Sequence, residues 1–269
     1  MGVSPLKLFF HMAFLCALVF PSAGCALLSS GASEDGAGPK FPLPPILKVG
    51  VLSDRGDVVG RLEDDLLKLL GKRRGVLLEV SEYQPEEILF ALRRGEIDIA
   101  VPIMTDTEVN AEFLKPCARH LPTGRRVVVH KDIAPFITSL KQLDNAKVVV
   151  CSVAGTVSPD YARKIFKYAR KASLKDSKSC VGMVSKGTGG VFLLGSVEAW
   201  RLFRSPESES KRTALRLVLR PLTKERLAWA VRRNDTTLAK ALDEFAADAA
   251  KRGDLTKLIR KNKADGINK

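Results

Sequence analysis

The segment Ile46-Leu-Lys-Val-Gly-Val-Leu-Ser-Asp-Arg-Gly-Asp57 decides the architecture of this chain. Its first seven residues form a short apolar run, the pattern of a buried strand, and Ser53–Asp57 form a polar loop. Leucines then recur at helical spacing across 62–70, and Gly71 is the expected end of that helix. The segment therefore predicts strand, loop and helix as the first unit of an α/β fold.

The same alternation continues and then restarts in the second half of the chain. Further strands are expected at Val76–Val80, Ile97–Val101, Lys147–Ser152 and Cys180–Val184, with an apolar run at Val191–Leu194. Helices are expected from Pro85 to Gly95, over Asp160–Ala172 behind Pro159, over Ser196–Phe203, and from Asp235 or Thr236 to Gly253. Alternating strands and helices with short links favour mostly parallel sheets covered by helices, here in two lobes.

The N-terminal segment is typical of an exported protein. Lys7 precedes an apolar run over 8–20 that is too short to span a membrane, so residues 1–24 are predicted to be a signal peptide. Ser22-Ala-Gly-Cys25 resembles the lipobox at which bacterial lipoprotein precursors are cut and the cysteine is acylated. The alternative is an ordinary secretory cut near Ala26 that releases a soluble product. Residues 25–46, rich in Gly, Ser, Ala and Pro, are predicted to form a flexible tether behind the lipidated Cys25.

The formal net charge of +14 does not indicate nucleic-acid binding. Lysines and arginines are scattered and lack the interleaved aromatic residues that single-strand binders use, and the export signal places the chain away from nucleic acid. A basic surface could instead meet anionic lipid, an anionic wall polymer or an anionic ligand, or it could simply be solvated.

Cysteine and histidine patterns point to no metal, no cofactor and no catalytic site. Cys117, Cys151 and Cys180 are odd in number and form no Cys-x-x-Cys pair; a Cys151–Cys180 disulfide and buried free thiols are the two alternatives. His120 and His130 have no cysteine or carboxylate at metal-ligand spacing. The sequence shows neither a phosphate loop nor a Gly-x-Ser-x-Gly elbow, so we expect that the chain is not an enzyme.

Seven stretches carry a family resemblance through their order and spacing: Leu47–Val51, Leu62–Leu66, Ala91–Ala100, Thr105–Glu108, Ala154–Thr156, Leu227–Arg232 and Gly253–Leu258. Together they resemble extracellular solute-binding proteins of family 3, the amino-acid-binding proteins of ABC importers. The phrase Leu-Ala-Trp-Ala-Val-Arg at Leu227–Arg232 also looks like the non-catalytic binding module of membrane-bound lytic transglycosylases. Because the sequence ends at Lys269, we expect no catalytic domain after that module.

The resemblance implies an α/β clamshell with two interlobe crossovers, near Leu121–Gly124 and Glu225–Ala228. Residues 47–122 and 226–269 would form lobe 1, and residues 123–225 would form lobe 2. A ligand in the cleft would close the lobes by a hinge motion. The implied protein is a monomeric, membrane-anchored solute-binding lipoprotein of the periplasm or cell surface. It would deliver an amino acid or related small polar solute to an ABC permease.

Two loops are the expected ligand contacts. Thr156 and Ser158 precede a helix whose free amides and positive dipole end would suit a carboxylate. Thr105, with the capping-box partner Glu108, would lie on the opposing lip. The alternative is that both loops only cap helices.

Several positions depart from the family pattern. Members of the family bind the ligand carboxylate with an arginine, and this chain has Asn110 at the corresponding position. The family's acidic residue for the ligand amino group corresponds to a position near Gly195. Arg55 could replace the missing positive charge, and Asp54 or Glu198 the negative one. Ser196 is a further candidate contact. These departures motivate a second hypothesis, a sensory or surface-interaction module with a degenerate cleft and no role in transport.

Overall fold

The computed structural model describes residues 41–53, 56–84, 87–105, 113–187, 189–204 and 213–268, without the side chains of 103–105 and 268. The predicted signal peptide, Cys25 and most of the tether lie outside the described residues. The described chain contains two five-stranded sheets.

The first sheet has the strand order β2-β1-β3-β10-β4. Its strands are β1 (Ile46–Leu52), β2 (Leu77–Tyr83), β3 (Ile99–Thr105), β4 (Leu114–Thr123) and β10 (Glu225–Arg232). β1 pairs in parallel with β2 and β3, whereas β10 pairs antiparallel with β3 and β4. A strand from the end of the chain therefore completes a sheet begun by its start.

The second sheet has the order β7-β6-β8-β5-β9. Its strands are β5 (Arg125–His130), β6 (Val149–Val153), β7 (Arg170–Leu174), β8 (Gly190–Gly195) and β9 (Leu215–Val218). The chain thus passes between the sheets at Gly124 and again between Val218 and Glu225. The predicted two-lobed α/β fold with two crossovers is confirmed, while the finer limits of the lobes remain a prediction.

Seven helices are described. They are α1 (Val58–Arg74), α2 (Ile88–Arg94), α3 (Ser158–Ile165), α4 (Ser177–Ser185), α5 (Ser196–Arg204), α6 (Thr236–Lys251) and α7 (Asp254–Lys261). None of these described helices combines the length and the apolar character needed to cross a membrane.

Asp57 caps α1 by accepting from the N–H groups of Val59 and Gly60. α1 continues past the predicted stop at Gly71 and ends at Gly75, whose φ of 63° suits a left-handed cap.

The predicted strand at Cys180–Val184 is wrong, because these residues lie in helix α4. Asp176 caps that helix by accepting from the N–H of Ser179, and Cys180, Val181 and Val184 share its buried face.

The predicted helix Asp160–Ala172 is also too long, because α3 ends at Ile165 and Arg170–Leu174 form the edge strand β7. A short apolar run such as Cys180–Val184 is compatible with both a buried strand and a helix. The basic edge strand at Arg170–Leu174 lacks the apolar run that identifies a buried strand.

The apolar core of the first lobe carries a buried polar triad. Glu63, His120 and Trp229 are 1%, 3% and 1% exposed. The His120 ring contacts Glu63 Oε1 through Nε2 at 2.7 Å and the Ala118 carbonyl oxygen through Nδ1 at 2.7 Å. Trp229 Nε1 donates to Glu63 Oε2 at 2.6 Å. With Glu63 ionised, its carboxylate and the Ala118 carbonyl can only accept, so both ring nitrogens of His120 donate and the ring is an imidazolium.

This triad should make stability depend on pH. Burial lowers the pKa of His120, but the charge of Glu63 and the hydrogen bonds to Glu63 and Ala118 outweigh that effect and raise it from 6.5. A raised folded pKa contributes stability that is present below about pH 6.5 and is lost as pH rises through the folded value. Urea unfolding at pH values from about 6 to 9 should therefore show a falling free energy of unfolding; a rise over this range would contradict the charged triad.

The three cysteines of the described chain, Cys117, Cys151 and Cys180, are free and buried. Of the two alternatives, the structure has free thiols and no Cys151–Cys180 disulfide. Burial raises the pKa of the Cys117 thiol. A hydrogen bond with Cys180, together with burial, raises the pKa of Cys151. The thiols of Cys117 and Cys151 are therefore held in their protonated, unreactive form.

Candidate functional site

The two crossovers approach each other closely at Gly124. A Cβ atom on Gly124 would lie 2.3 Å from the Thr223 carbonyl oxygen and 2.9 Å from Pro221 Cβ. No other residue fits this position without moving the backbone of the returning chain. Glycine is therefore required here by close approach of two backbones, and we call the crossover pair at Gly124 the hinge.

A buried ion pair joins the same two crossovers. Arg125 begins β5 and Glu225 begins β10, and the two residues are 5% and 3% exposed. Arg125 Nε donates to Glu225 Oε1 at 3.1 Å, and Arg125 NH2 donates to Glu225 Oε2 at 2.9 Å. Thr223 Oγ1 also donates to Glu225 Oε1 at 2.5 Å and accepts from the Arg125 N–H at 2.8 Å. This bidentate geometry fixes the guanidinium beside the hinge.

Arg125 also reaches the N-terminus of α3. Its NH1 donates to Ser158 Oγ at 3.1 Å, and the guanidinium carbon lies 5.2 Å from the centroid of the Tyr161 ring. Ser158 is the first residue of α3 and Pro159 lies in its first turn. The positive end of the helix thus adjoins a guanidinium whose charge is already balanced by Glu225, and it is the helix end that favours negative charge nearby.

The predicted contacts Thr156 and Ser158 lie at this end of α3. Thr156 is exposed; its Oγ1 donates to the Val153 carbonyl at 2.8 Å and accepts from the Ser158 N–H at 3.3 Å. Ser158 is 2% exposed, so Arg125 covers its hydroxyl. Thr156 is therefore the accessible member of the pair, and Ser158 holds Arg125 in place.

Ser196 and Gly195 lie where β8 meets α5. Ser196 is buried, and both its N–H and its Oγ donate to the Gly124 carbonyl, at 2.8 and 2.9 Å. A Cβ on Gly195 would lie 3.6 Å from Arg125 NH1. The structure thus brings Ser196, Gly195 and Arg125 together at the hinge.

Of the other predicted site residues, Thr105 ends β3 opposite Leu227, and its side chain is not described. Asp54, Arg55 and Asn110 lie outside the described residues, as does Glu108. Glu198 is on α5, where it hydrogen-bonds Ser177.

Thr123, the last residue of β4, adds a buried polar atom beside Gly124. It is 2% exposed, and its Oγ1 has no hydrogen-bond partner among the described residues. A buried hydroxyl without a partner is costly, because it has given up its hydrogen bonds to water. The hinge therefore keeps unused hydrogen-bonding capacity.

Helix α5 connects the lobes at a second place. Val197 and Trp200 pack against the apolar core of the first lobe. Arg201 Nε donates to Asp57 Oδ2 at 2.5 Å. Asp57 uses its other oxygen, Oδ1, to cap α1. One carboxylate thus caps a helix of the first lobe and holds a helix of the second.

These two roles of Asp57 can be separated by substitution. Asp57→Ala should cost about 1 kcal/mol of stability, because it removes the cap. Asp57→Asn keeps an oxygen for the cap and loses only the half-exposed ion pair, so its loss should be clearly smaller. Denaturant unfolding of both variants measures this difference. Equal losses in the two variants would contradict a capping role.

A separate cavity lies on the other face of β5. Arg126, which follows Arg125 along the strand, lines a space of about 460 Å³ together with Trp200, Phe203 and Gly266. Burial lowers the pKa of the Arg126 guanidinium. None of Thr156, Ser158 and Ser196 lines this cavity, so it is distinct from the cluster around Arg125.

Sequence reasoning missed Arg125 and Glu225. The pair is 100 positions apart in the sequence, and each residue stands in a run that looks like surface charge. The available signal was their position, because both residues begin strands directly at the expected crossovers.

The model of one protein family, "Bacterial extracellular solute-binding proteins, family 3", matches residues 49–264. No curated protein sequence matches the chain.

Solved structures share the fold. An ancestral cationic amino acid solute binding protein is 25% identical, with a TM-score of 0.60 over 81% of this chain and 95% of that chain. An amino acid ABC transporter substrate-binding protein from Streptococcus pneumoniae, bound to L-arginine, is 18% identical, with a TM-score of 0.61 over 84% and 97%. The periplasmic VFT2 domain of BvgS from Bordetella pertussis is 21% identical, with a TM-score of 0.64 over 81% and 93%.

Proposed function

The chain belongs to the bacterial extracellular solute-binding proteins of family 3, and from this premise we propose that it binds an amino acid or a related small polar solute between its lobes. The family places the protein outside the cytoplasm. The observation that carries the proposal is the buried Arg125–Glu225 pair, which joins both crossovers to the N-terminus of α3. Solute held there would contact both lobes and the hinge together.

The ligand we propose carries a negative group. The positive end of α3 and the exposed hydroxyl of Thr156 favour a carboxylate at this point. Gly195 offers no acidic side chain, so the opposite, amino end of an amino acid needs another partner. Glu225 is held by Arg125 and Thr223, so it does not supply that partner without rearrangement.

We further propose that the protein is a lipoprotein, anchored through Cys25, that delivers its solute to an ABC permease. Support comes from the lipobox-like Ser22-Ala-Gly-Cys25 and from the amino-acid transport protein among the structural neighbours. Binding and closure would be its whole mechanism, without catalysis. The second candidate is a sensory or surface-interaction module. The absent side chain at Gly195 and the likeness to a BvgS domain favour it.

Thermal unfolding of the exported chain against amino acids, short peptides, polyamines and dicarboxylates tests the proposal. Solute at about 100 times its dissociation constant adds about 2.7 kcal/mol, a rise of roughly 5–10 °C for a chain of this size. Thr156→Ala should reduce the rise, and Thr256→Ala, an exposed threonine on α7, should not. A panel without any shift would remove the solute-binding proposal.

Uptake separates the two candidates. Deleting the gene should abolish uptake of the stabilising compound if the protein serves an importer. Unchanged uptake together with a clear thermal shift would support the sensory module.

A further inference from the structure

Positive charge is concentrated along one edge of the second lobe. The segment from the end of α3 through β7 to the start of α4 carries six exposed cations: Lys164, Lys167, Arg170, Lys171, Lys175 and Lys178. We call this set the basic edge. β7 is the outermost strand of its sheet, so no further strand covers this side in the described chain.

Nearby carboxylates offset only part of the charge of the basic edge, because Asp144 interacts with Lys171, and Asp176 interacts with Lys175 and Lys178. Asp144 accepts from the backbone N–H groups of Lys167, Tyr168 and Ala169, and these bonds help to lower its pKa. Asp176 caps α4. Asp160 forms an ion pair with Arg163, which is not a member of the basic edge. The six cations outnumber the carboxylates beside them, Asp144, Asp176 and Glu198, so an excess of positive charge faces solvent.

An aromatic side chain stands among these cations. Tyr168 is 75% exposed, and it lies between Lys167 and Arg170 in sequence. Amphipathic tyrosine rings settle at the level of lipid headgroups, and basic side chains near an anionic bilayer each gain about 1 kcal/mol. The combination of a cationic strip with an exposed tyrosine fits a bilayer surface better than it fits a small ligand, since none of its residues lines any of four cavities found in the described chain.

We propose that the basic edge is a docking surface for the anionic phosphate headgroups of a membrane. This inference rests on the proposed location outside the cytoplasm, and it does not depend on solute binding. The edge would orient the second lobe against the bilayer. It also gives part of the net charge of +14 a specific partner.

Vesicle binding tests this surface. The exported chain carrying Cys25→Ser, which removes any acyl anchor, is mixed with vesicles of phosphatidylglycerol and phosphatidylcholine or of phosphatidylcholine alone. We expect binding only to the anionic vesicles, weakening as salt rises. Replacing Lys167, Arg170, Lys171 and Lys175 by glutamine should lower the vesicle affinity at least about tenfold.

A matched control removes four cations from the first lobe. Lys68, Lys72, Lys251 and Lys257 are exposed on α1, α6 and α7, and their replacement by glutamine lowers the net charge equally. The control should bind nearly as tightly as the parent chain. Equal losses in both variants would show nonspecific charge attraction and overturn the proposal. So would binding to soluble polyphosphate without binding to vesicles, which would point to a wall polymer. Thermal shifts with solutes, measured on the same variants, report on the proposed solute site separately.

Discussion

Replacing Glu63 by alanine should lower the free energy of unfolding by about 3–5 kcal/mol, the range for breaking a buried charge pair. Glu63 is the acceptor for both His120 and Trp229 inside the first core. Its loss leaves the indole N–H without a partner, removes the countercharge of His120 and opens a cavity. Urea unfolding followed by circular dichroism measures the change.

Glu63→Gln is the matched control. Glutamine fills the same space, and its amide can accept from Trp229 while donating to a neutral His120 ring. The variant should therefore keep most of the stability and lose the pH dependence attributed to the imidazolium. If Glu63→Gln retains the fall in stability above about pH 6.5, the charged triad is not its source.

Replacing Arg125 by methionine should also cost about 3–5 kcal/mol, because Glu225 then stays buried without its cation. The substitution also removes the hydrogen bond that Arg125 donates to the Ser158 hydroxyl, and it takes the guanidinium away from the end of α3. We expect both a lower midpoint in urea and weaker binding of whichever solute stabilises the parent chain. Unfolding and titration calorimetry measure the two effects.

Two further variants show whether the unpaired charge of Glu225 causes the loss of stability. The double variant Arg125→Met with Glu225→Met removes both charges and should recover most of the lost stability without recovering solute binding. Arg163→Met breaks the exposed pair with Asp160 and should change stability little. A single Arg125→Met variant as stable as Arg163→Met would contradict the structural role of the hinge pair.

Local signals in the sequence predicted much of the first lobe. The apolar run at Ile46–Leu52 begins and ends at the same residues as strand β1. Gly95 ends α2 with a φ of 76°. Short-range chemistry decides such features, because a strand run or a left-handed cap depends on neighbouring residues. The two-lobed fold followed from the order of these units.

Features that depend on distant residues could not be predicted in the same way. The position of β10 between β3 and β4 joins the two ends of the first lobe, and no local pattern specifies that order. The segments at β7 and α4 were assigned wrongly, since edge position and tertiary packing outweighed their composition. Arg125 and Glu225 become a pair only when the crossovers meet at Gly124.

Solution X-ray scattering of the exported chain, with and without each amino acid of the panel at saturating concentration, tests the central claim most directly. If solute binds between the lobes and draws them together about the Gly124 hinge, the compound that raises the unfolding temperature should also reduce the radius of gyration. A stabilising compound that leaves the radius of gyration unchanged, or a panel in which no compound changes it, would contradict a cleft that closes on its solute.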